Sequence, residues 1–496
     1  MTPGEKNDAE DSCLKNPDVF TPSVNDRSQN KNFEKSGVNS VLPKSEGLDN
    51  NNNNNNDAKT PITFNENLEK GVVQNGSEQR SNGTSISDDE KDNFPDGGLK
   101  AWSVVVGSFC GSFAVFGILN CSGILLDYFS THQLQGYATG DVGWIFGVSL
   151  FLTFLGGTPV GPIFDAYGPR VLIFCGSILL ILSMMLLGLC SEYWQIFIVY
   201  SVLNGIGGAM VNTPCISSIA QYFQAKRAFA TGIAMTAGSV GGVVIPLMLQ
   251  RLFPTIGFAW ATRILGFILL VLLILTNLLV TSRLPKKPLP SMKSILPYWP
   301  AFKEPSFIFL TIAIFLLEWG IFVPLTYITP YVVANGQSTS FGFYIVSILN
   351  AGSFVGRLGA GYVADRLGYV NTLIISVAFC VVTCLALWLP AGDSQAVALV
   401  FAVLFGLVSG SNLSLSPVCV GQLCGVEKFG TYYSTCWMIV SFGTLTGLPI
   451  AGQILTASGG DYTWLIVFAG LSYALAGTFL VAAKVAKLGW SISKKY

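Results

Sequence analysis

The chain has a single histidine, His132, which excludes a histidine-rich metal centre. Its body is poor in charge: Asp, Glu, Lys and Arg make up 11% of all residues, and half of them fall in the first fifth of the chain. Residues 1–96 carry ten basic and eighteen acidic residues, a net of about −8, so the remainder carries about +8. The overall zero is a cancellation of two unlike parts. A secretory leader is not expected, since the first long apolar run begins near residue 101. Glycines are plentiful, but no GKS or GKT follows them and no strand–loop–helix pattern surrounds them, which excludes a nucleotide-driven pump. No nucleophile–base or metal-ligand constellation occurs either, so an enzyme is not expected, nor a metal or other cofactor. Nothing in the charge pattern points to nucleic acid.

Of eleven cysteines, nine lie inside apolar segments, Cys110, Cys121, Cys175, Cys190 and Cys215 among them, and read as buried small hydrophobes. Residues 1–95 are polar, with an asparagine run at Asn50–Asn56 and almost no aromatic side chains. Such a segment cannot bury a core and reads as a disordered tail. The glycosylation patterns at Asn75-Gly-Ser77 and Asn82-Gly-Thr84 are expected to be unused, because the charge pattern below places the tail in the cytosol.

Twelve apolar segments follow, at about 101–126, 142–163, 171–190, 194–219, 228–250, 260–281, 306–331, 341–363, 370–389, 396–419, 432–455 and 463–485. A helix crossing a ~30 Å hydrocarbon layer needs roughly 20 residues, and only helices satisfy every backbone group over runs of this kind. The predicted fold is all-α and membrane-spanning, with the lipid bilayer as its partner. Lys and Arg cluster in alternate connections: Arg170; Lys226 and Arg227; Arg283, Lys286, Lys287, Lys293 and Lys303; Arg366; Lys428; and Lys484, Lys487, Lys494 and Lys495. The opposite connections hold only Arg251, so both termini are expected in the cytosol. A Pro- and Lys-rich stretch holding Pro285, Pro288 and Pro290 separates six segments from six. The expected organisation is tail 1–95, a six-helix bundle 96–282, a linker 283–305, a second bundle 306–486 and a tail 487–496.

The halves repeat one another. Gly161-Pro-Ile-Phe-Asp165-Ala-Tyr-Gly168-Pro-Arg170 recurs 200 residues later as Gly361-Tyr-Val-Ala-Asp365-Arg366-Leu-Gly368. Gly205–Gly208, Pro214, Lys226-Arg227 and Pro246 are matched by Gly406–Gly410, Pro417, Glu427-Lys428 and Pro449. Parallel repeats of six helices are the pattern of an alternating-access transporter for a small molecule. Glycine clusters at 156–157, 207–208, 238–242 and 352–361 let such helices approach and slide.

Ionisable groups inside apolar helices face a cavity or a partner. Arg263 stands near a helix end and can snorkel to the interface. Glu318 and Arg357 cannot: by 1.5 Å per residue they stand ~18 Å and ~12 Å above the inner face. The two are expected either to share substrate at a cavity floor, with Glu318 able to carry a proton, or to form a static ion pair. Asn120, Asn204, Asn212, Asn350 and Asn412 complete the candidate cavity, although each can equally serve as a helix–helix hydrogen bond.

The Gly-x-x-x-Asp-x-x-Gly-x-Arg hairpin, its second copy and the six-plus-six layout resemble the major facilitator superfamily. Asp96-Gly97-Gly98-Leu99-Lys100-Ala101-Trp102 and Lys226-Arg227-Ala-Phe-Ala-Thr-Gly232 resemble its monocarboxylate porter family. Leu119–Gly123, Ser239–Pro246 and Phe442–Pro449 are similar to the fungal branch that includes a yeast riboflavin transporter. The resemblance covers about residues 94–490. It implies that Asp165 and Asp365, with Arg170 and Arg366, latch the cytosolic ends of the halves. Unequal latches are expected, because a proline precedes Arg170 whereas a basic residue directly follows Asp365. Proton-linked animal members carry a lysine where Asn120 stands and an aspartate where Ser353 stands; only Arg357 matches. These departures imply a larger, uncharged ligand such as riboflavin, with Phe116, Trp319 and Tyr344 as contacts, rather than a proton-coupled monocarboxylate. The resemblance further implies a monomer in the plasma membrane, or alternatively in the vacuolar membrane. A nutrient sensor that signals through the acidic tail is the competing class.

Overall fold

The computed structural model describes residues 94–288 and 296–489; the tail to residue 93, linker residues 289–295 and the end from residue 490 lie outside the described residues, Lys293, Lys494 and Lys495 with them. Among the described residues, twelve helices are long and apolar enough to cross a membrane. They are α1 (Gly98–Thr131), α2 (Gly140–Tyr167), α3 (Arg170–Leu187), α4 (Tyr193–Tyr222), α5 (Arg227–Ile256) and α6 (Phe258–Leu279) in the first half. The second half holds α7 (Pro305–Ala334), α8 (Ser340–Leu367), α9 (Tyr369–Trp388), α10 (Gln395–Gly421), α11 (Val426–Ala457) and α12 (Thr463–Leu488). Each falls on one of the twelve expected segments, most ending a few residues beyond it, because polar residues continue the last turns outside the apolar layer. Among the described residues there is no strand.

Two apolar cores correspond to the two halves. One joins Ile118, Phe129, Tyr200 and Leu265 of the first half. The other fills the second half with Trp388, Phe401, Phe405 and Tyr473, and reaches across to Phe154, Ile216 and Met235 of the first. Trp144, Trp194, Trp260 and Trp464 are exposed, and all stand near the helix ends on the face opposite the linker. That is the aromatic belt of a membrane–water boundary.

Two helices carry one wider turn each, at Phe197–Leu203 in α4 and Thr383–Trp388 in α9. A wide turn frees backbone carbonyls. Ser183 of α3 donates to Val199 O at 2.8 Å, and Tyr331 of α7 donates to Trp388 O at 3.4 Å, so neighbouring helices satisfy both. The chain breaks at Asn120–Cys121 in α1 and at Gly156 in α2.

Candidate functional site

The repeated hairpin joins the halves, and each of its residue types has a separate task. Gly168 and Gly368 end α2 and α8 at φ 82° and 98°, in the left-handed region where a side chain is strained. Gly161 and Gly361 allow close approach. A Cβ on Gly161 would strike Gly430 O, and one on Gly361 would lie 2.7 Å from Ala228 O and 2.9 Å from Phe229 Cα. The carboxylate between each glycine pair then reaches the start of a helix in the other half. Asp165 accepts from Gly430 N at 2.9 Å and Thr431 N at 2.7 Å on α11. Asp365 accepts from Ala228 N at 2.9 Å and Phe229 N at 3.0 Å on α5. The exchange is reciprocal, and both carboxylates sit where unpaired amides and the helix dipole favour negative charge.

This corrects the expected role of the arginines. Arg170 and Arg366 are exposed, and neither pairs with a carboxylate among the described residues; Arg366 lies 3.9 Å from the ring centre of Tyr362 on its own helix. The carboxylates are satisfied by backbone amides, which leaves the guanidiniums at the surface. The two clasps are unequal for a different reason from the expected one. Thr431 adds its hydroxyl to Asp165 at 2.7 Å, whereas the corresponding position on α5 is Phe229.

Arg227 is the cation buried at this junction. It donates to Phe223 O and Ala220 O, and across to Gly421 O of the second half at 3.4 Å. In the sequence it passes for one of a pair of loop cations; its place two residues ahead of the clasped amide of Phe229 was the available signal. The Asp96-Gly-Gly segment supports the same turn. Asp96 Oδ1 accepts from Gln224, Ala225 and Lys226 N at 2.7, 2.8 and 3.4 Å. Phe94 lies under the guanidiniums of Arg227 and Arg283. Lys287 spans the other clasp, bonding Ala166 O through its backbone and Glu427 through its ammonium at 2.6 Å.

Above the clasps α5 and α8 remain in contact. Arg357 donates to Met235 O of α5, and a Cβ on Gly232 would meet Arg357 O at 2.5 Å. A wedge here tests the closure without altering any charge. Gly232→Val is expected to cost about 1–3 kcal/mol of closure on the linker face. Thiol labelling of a cysteine placed at Ala220, buried where α4 meets the second half, should accelerate accordingly.

The candidate cavity residues divide. Glu318 is 3% exposed, and its Oε2 has no hydrogen-bond partner. It borders a small cavity of about 20 Å³ between the halves, with Phe116, Phe154, Ile216 and Met235 on one side and Leu413, Ser416, Pro417, Tyr433 and Trp437 on the other. The expected ion pair with Arg357 is not formed: that guanidinium is spent on Met235 O, and its Nε is unpartnered. Asn212 reaches the interface, donating to Tyr433 OH at 3.5 Å. Asn120 bonds Gly238 O of α5 and stays exposed, and Asn350 meets the same helix near Gly242.

Asn204 and Asn412 turn away from the interface. Asn204 donates to Ser149 within the first half at 2.9 Å, while Asn412 accepts from Ser376 and donates to Cys380 within the second. Both brace helices, because their helical phase points them into their own bundle. Trp319 does likewise, bonding Thr446 at 3.2 Å and packing on Phe315 and Phe468. Tyr344 is 65% exposed, and Arg263 lies over the ring of Trp260. Tyr433 and Trp437, with ring centres 4.3 Å apart, are cavity residues that sequence reasoning missed. Aromatic residues in an apolar helix carry no mark of which face they occupy.

A Major Facilitator Superfamily profile matches residues 104–445. The chain belongs to the Major Facilitator Superfamily. It is 38% identical to an MFS-type transporter of Penicillium oxalicum over 81% of this chain and 94% of that one. The aspyridones efflux protein of Emericella nidulans is 37% identical, covering 80% of each chain, and the riboflavin transporter of Saccharomyces cerevisiae 32%, covering 82% of each. Among solved structures, the proton:xylose symporter XylE superposes with a TM-score of 0.61 at 15% identity, over 78% of this chain and 96% of that one. As a superfamily member the chain is a membrane-embedded transporter of a small molecule and not an enzyme. In this superfamily member the halves meet through the two clasps and enclose the cavity between them.

Proposed function

We propose that the chain exports a ring-bearing, largely apolar organic metabolite by alternating access. The observation that carries this reading is the cavity wall: Phe116, Phe154, Met235, Leu413 and Trp437 are apolar, and the ionisable groups on it are Glu318 and Tyr433. A flat ring system packs on such a wall through burial and stacking. The wall presents no lysine or arginine among the described residues to pair with a small carboxylate. The relative named for aspyridone efflux supports the direction.

The cavity holds about one water molecule, so ligand enters when the halves part. Polar bonds between the halves gather on the linker side, whereas Asn120 above them is exposed. This arrangement corresponds to closure of the linker face. The basic connections support a cytosolic position for that face, and in our reading the chain works as a monomer in the plasma membrane. A second reading, riboflavin uptake, rests on the yeast relative.

The test loads transport-deficient cells with an aspyridone or with riboflavin and follows efflux and uptake of each. Faster aspyridone loss on expression is the expected result. Riboflavin accumulation without any efflux would overturn the export reading.

A further inference from the structure

Among the described residues, every carboxylate on the linker face already has a partner. Asp96, Asp165 and Asp365 accept backbone amides, Glu304 pairs with Lys487, and Glu427 pairs with Lys287. Cations remain over. Arg170, Lys226, Lys286, Arg366 and Lys428 are exposed, and none of them meets a carboxylate among the described residues. These five surround the seam between the halves. Tyr369 OH reaches Gln224 O at 2.9 Å, which places the end of α8, with Arg366, beside the turn that holds Lys226. Lys287 bonds both Ala166 O and Glu427, which places Lys286 and the hairpin before Arg170 beside Lys428.

The chain enters this face at a fixed point. Asp96 takes φ 46°, donates its amide to Tyr222 O at 3.1 Å and accepts three amides of the turn before α5. Phe94 lies under Arg227 and Arg283. Directly before Phe94 the sequence reads Asp88-Asp89-Glu90-Lys91-Asp92, four carboxylates in five residues, which lie outside the described residues. Chain length bounds their distance from Phe94: at about 3.3 Å per residue, two to six residues span at most ~7–20 Å. Lys226 adjoins the turn that Asp96 holds, and Arg366 is tied to that turn through Tyr369, so cations of both halves fall within reach.

We infer that residues 88–92 are a strap that docks on this ring of cations and holds the linker face shut. The inference rests on alternating access and not on the direction of transport. With the face closed, one short acidic segment meets cations from both halves. When the halves part, Lys226 and Arg366 separate and the segment cannot hold both, so it favours the closed state. Exposed ion pairs are individually weak, but several of them act here across one seam. Tethering a few residues away sets a local carboxylate concentration on the order of millimolar, which a free anion does not have. Anionic lipid headgroups are the competing occupant of a basic face. The position of the cations around the seam, next to the anchored Phe94 and Asp96, favours the strap. Because the contacts are exposed, added salt weakens them.

The experiment uses full-length protein in vesicles that contain both zwitterionic and anionic lipid, and needs no substrate, so a failed strap and a failed export assay are told apart. A photoreactive benzophenone amino acid in place of Ser87 traps whatever lies beside the segment, and mass spectrometry locates the new bond. Cross-links to the end of α8 around Arg366 and to the start of α11 around Lys428 are expected. The full chain with Asp88→Asn, Asp89→Asn, Glu90→Gln and Asp92→Asn should lose them. In that protein a cysteine at Ala220, buried where α4 meets the second half, should react with a thiol reagent about fivefold faster. Arg366→Gln with Lys428→Gln, which leaves the clasp carboxylates in place, should act in the same direction. Cross-links to lipid alone would assign the ring to headgroups, and cross-links to a second copy of the chain would assign it to self-association. Either result overturns the inference, as does labelling of Ala220→Cys at the parent rate once the segment is neutralised.

Discussion

Asp165→Asn should open the linker face and slow transport. The carboxylate accepts three bonds at the start of α11, from Gly430 N, Thr431 N and Thr431 Oγ1. Hydrogen bonds to a charged group contribute about 1.5–3 kcal/mol each, and an amide keeps one acceptor oxygen but no charge. A net loss of about 2 kcal/mol shifts the closed-to-open ratio about thirtyfold. The helix dipole adds to the loss, since its N-terminus no longer faces an anion. Asp365→Asn should act in the same direction but less strongly, because its clasp consists of two amide bonds without the added hydroxyl that Thr431 gives Asp165. Distances between spin labels across the linker face would show the shift. Equal effects of the two substitutions would contradict the asymmetry assigned to Thr431.

The second large effect is expected at Glu318. A glutamine there matches the size of the side chain but binds no proton. If each transport cycle moves one proton, a gradient of about one pH unit supplies about 1.4 kcal/mol, enough for about tenfold accumulation. Glu318→Gln should remove that tenfold while leaving movement down a concentration gradient. Initial rates in vesicles with and without an imposed pH difference separate the two quantities. If accumulation by Glu318→Gln still rises with the pH difference, the proton passes elsewhere.

The twelve helices were legible because uninterrupted apolar length has one physical outcome in a bilayer. The repeated hairpin was legible too, since Gly168 and Gly368 stand where a left-handed turn is required. What the side chains do was only half visible. Asp165 and Asp365 stood out, but their partners are backbone amides, which every residue carries and no sequence distinguishes. Arg170 and Arg366 were therefore given a share in a latch that the carboxylates and helix starts make by themselves. Asn204 and Asn412 were placed in the cavity because polarity shows without its direction; a turn of α4 or α10 decides between facing the other half and bracing one's own. Tyr433 had the opposite fault, an aromatic residue in an apolar helix that lipid contact would explain equally well. Glu318 was found because a carboxylate so far from either helix end must face a cavity or a partner.

The central claim is that transport requires the linker face to open and close between the halves. Gln224, in the turn before α5, and Tyr369, at the start of α9, meet across that face, Tyr369 OH donating to Gln224 O at 2.9 Å. Cysteines at these two positions, bridged by a short thiol-specific cross-linker that a reducing agent can cleave, would hold it shut. Transport should stop on bridging and return on cleavage, while wild-type protein treated in parallel is unaffected. Transport at the unbridged rate in fully bridged protein would contradict the account.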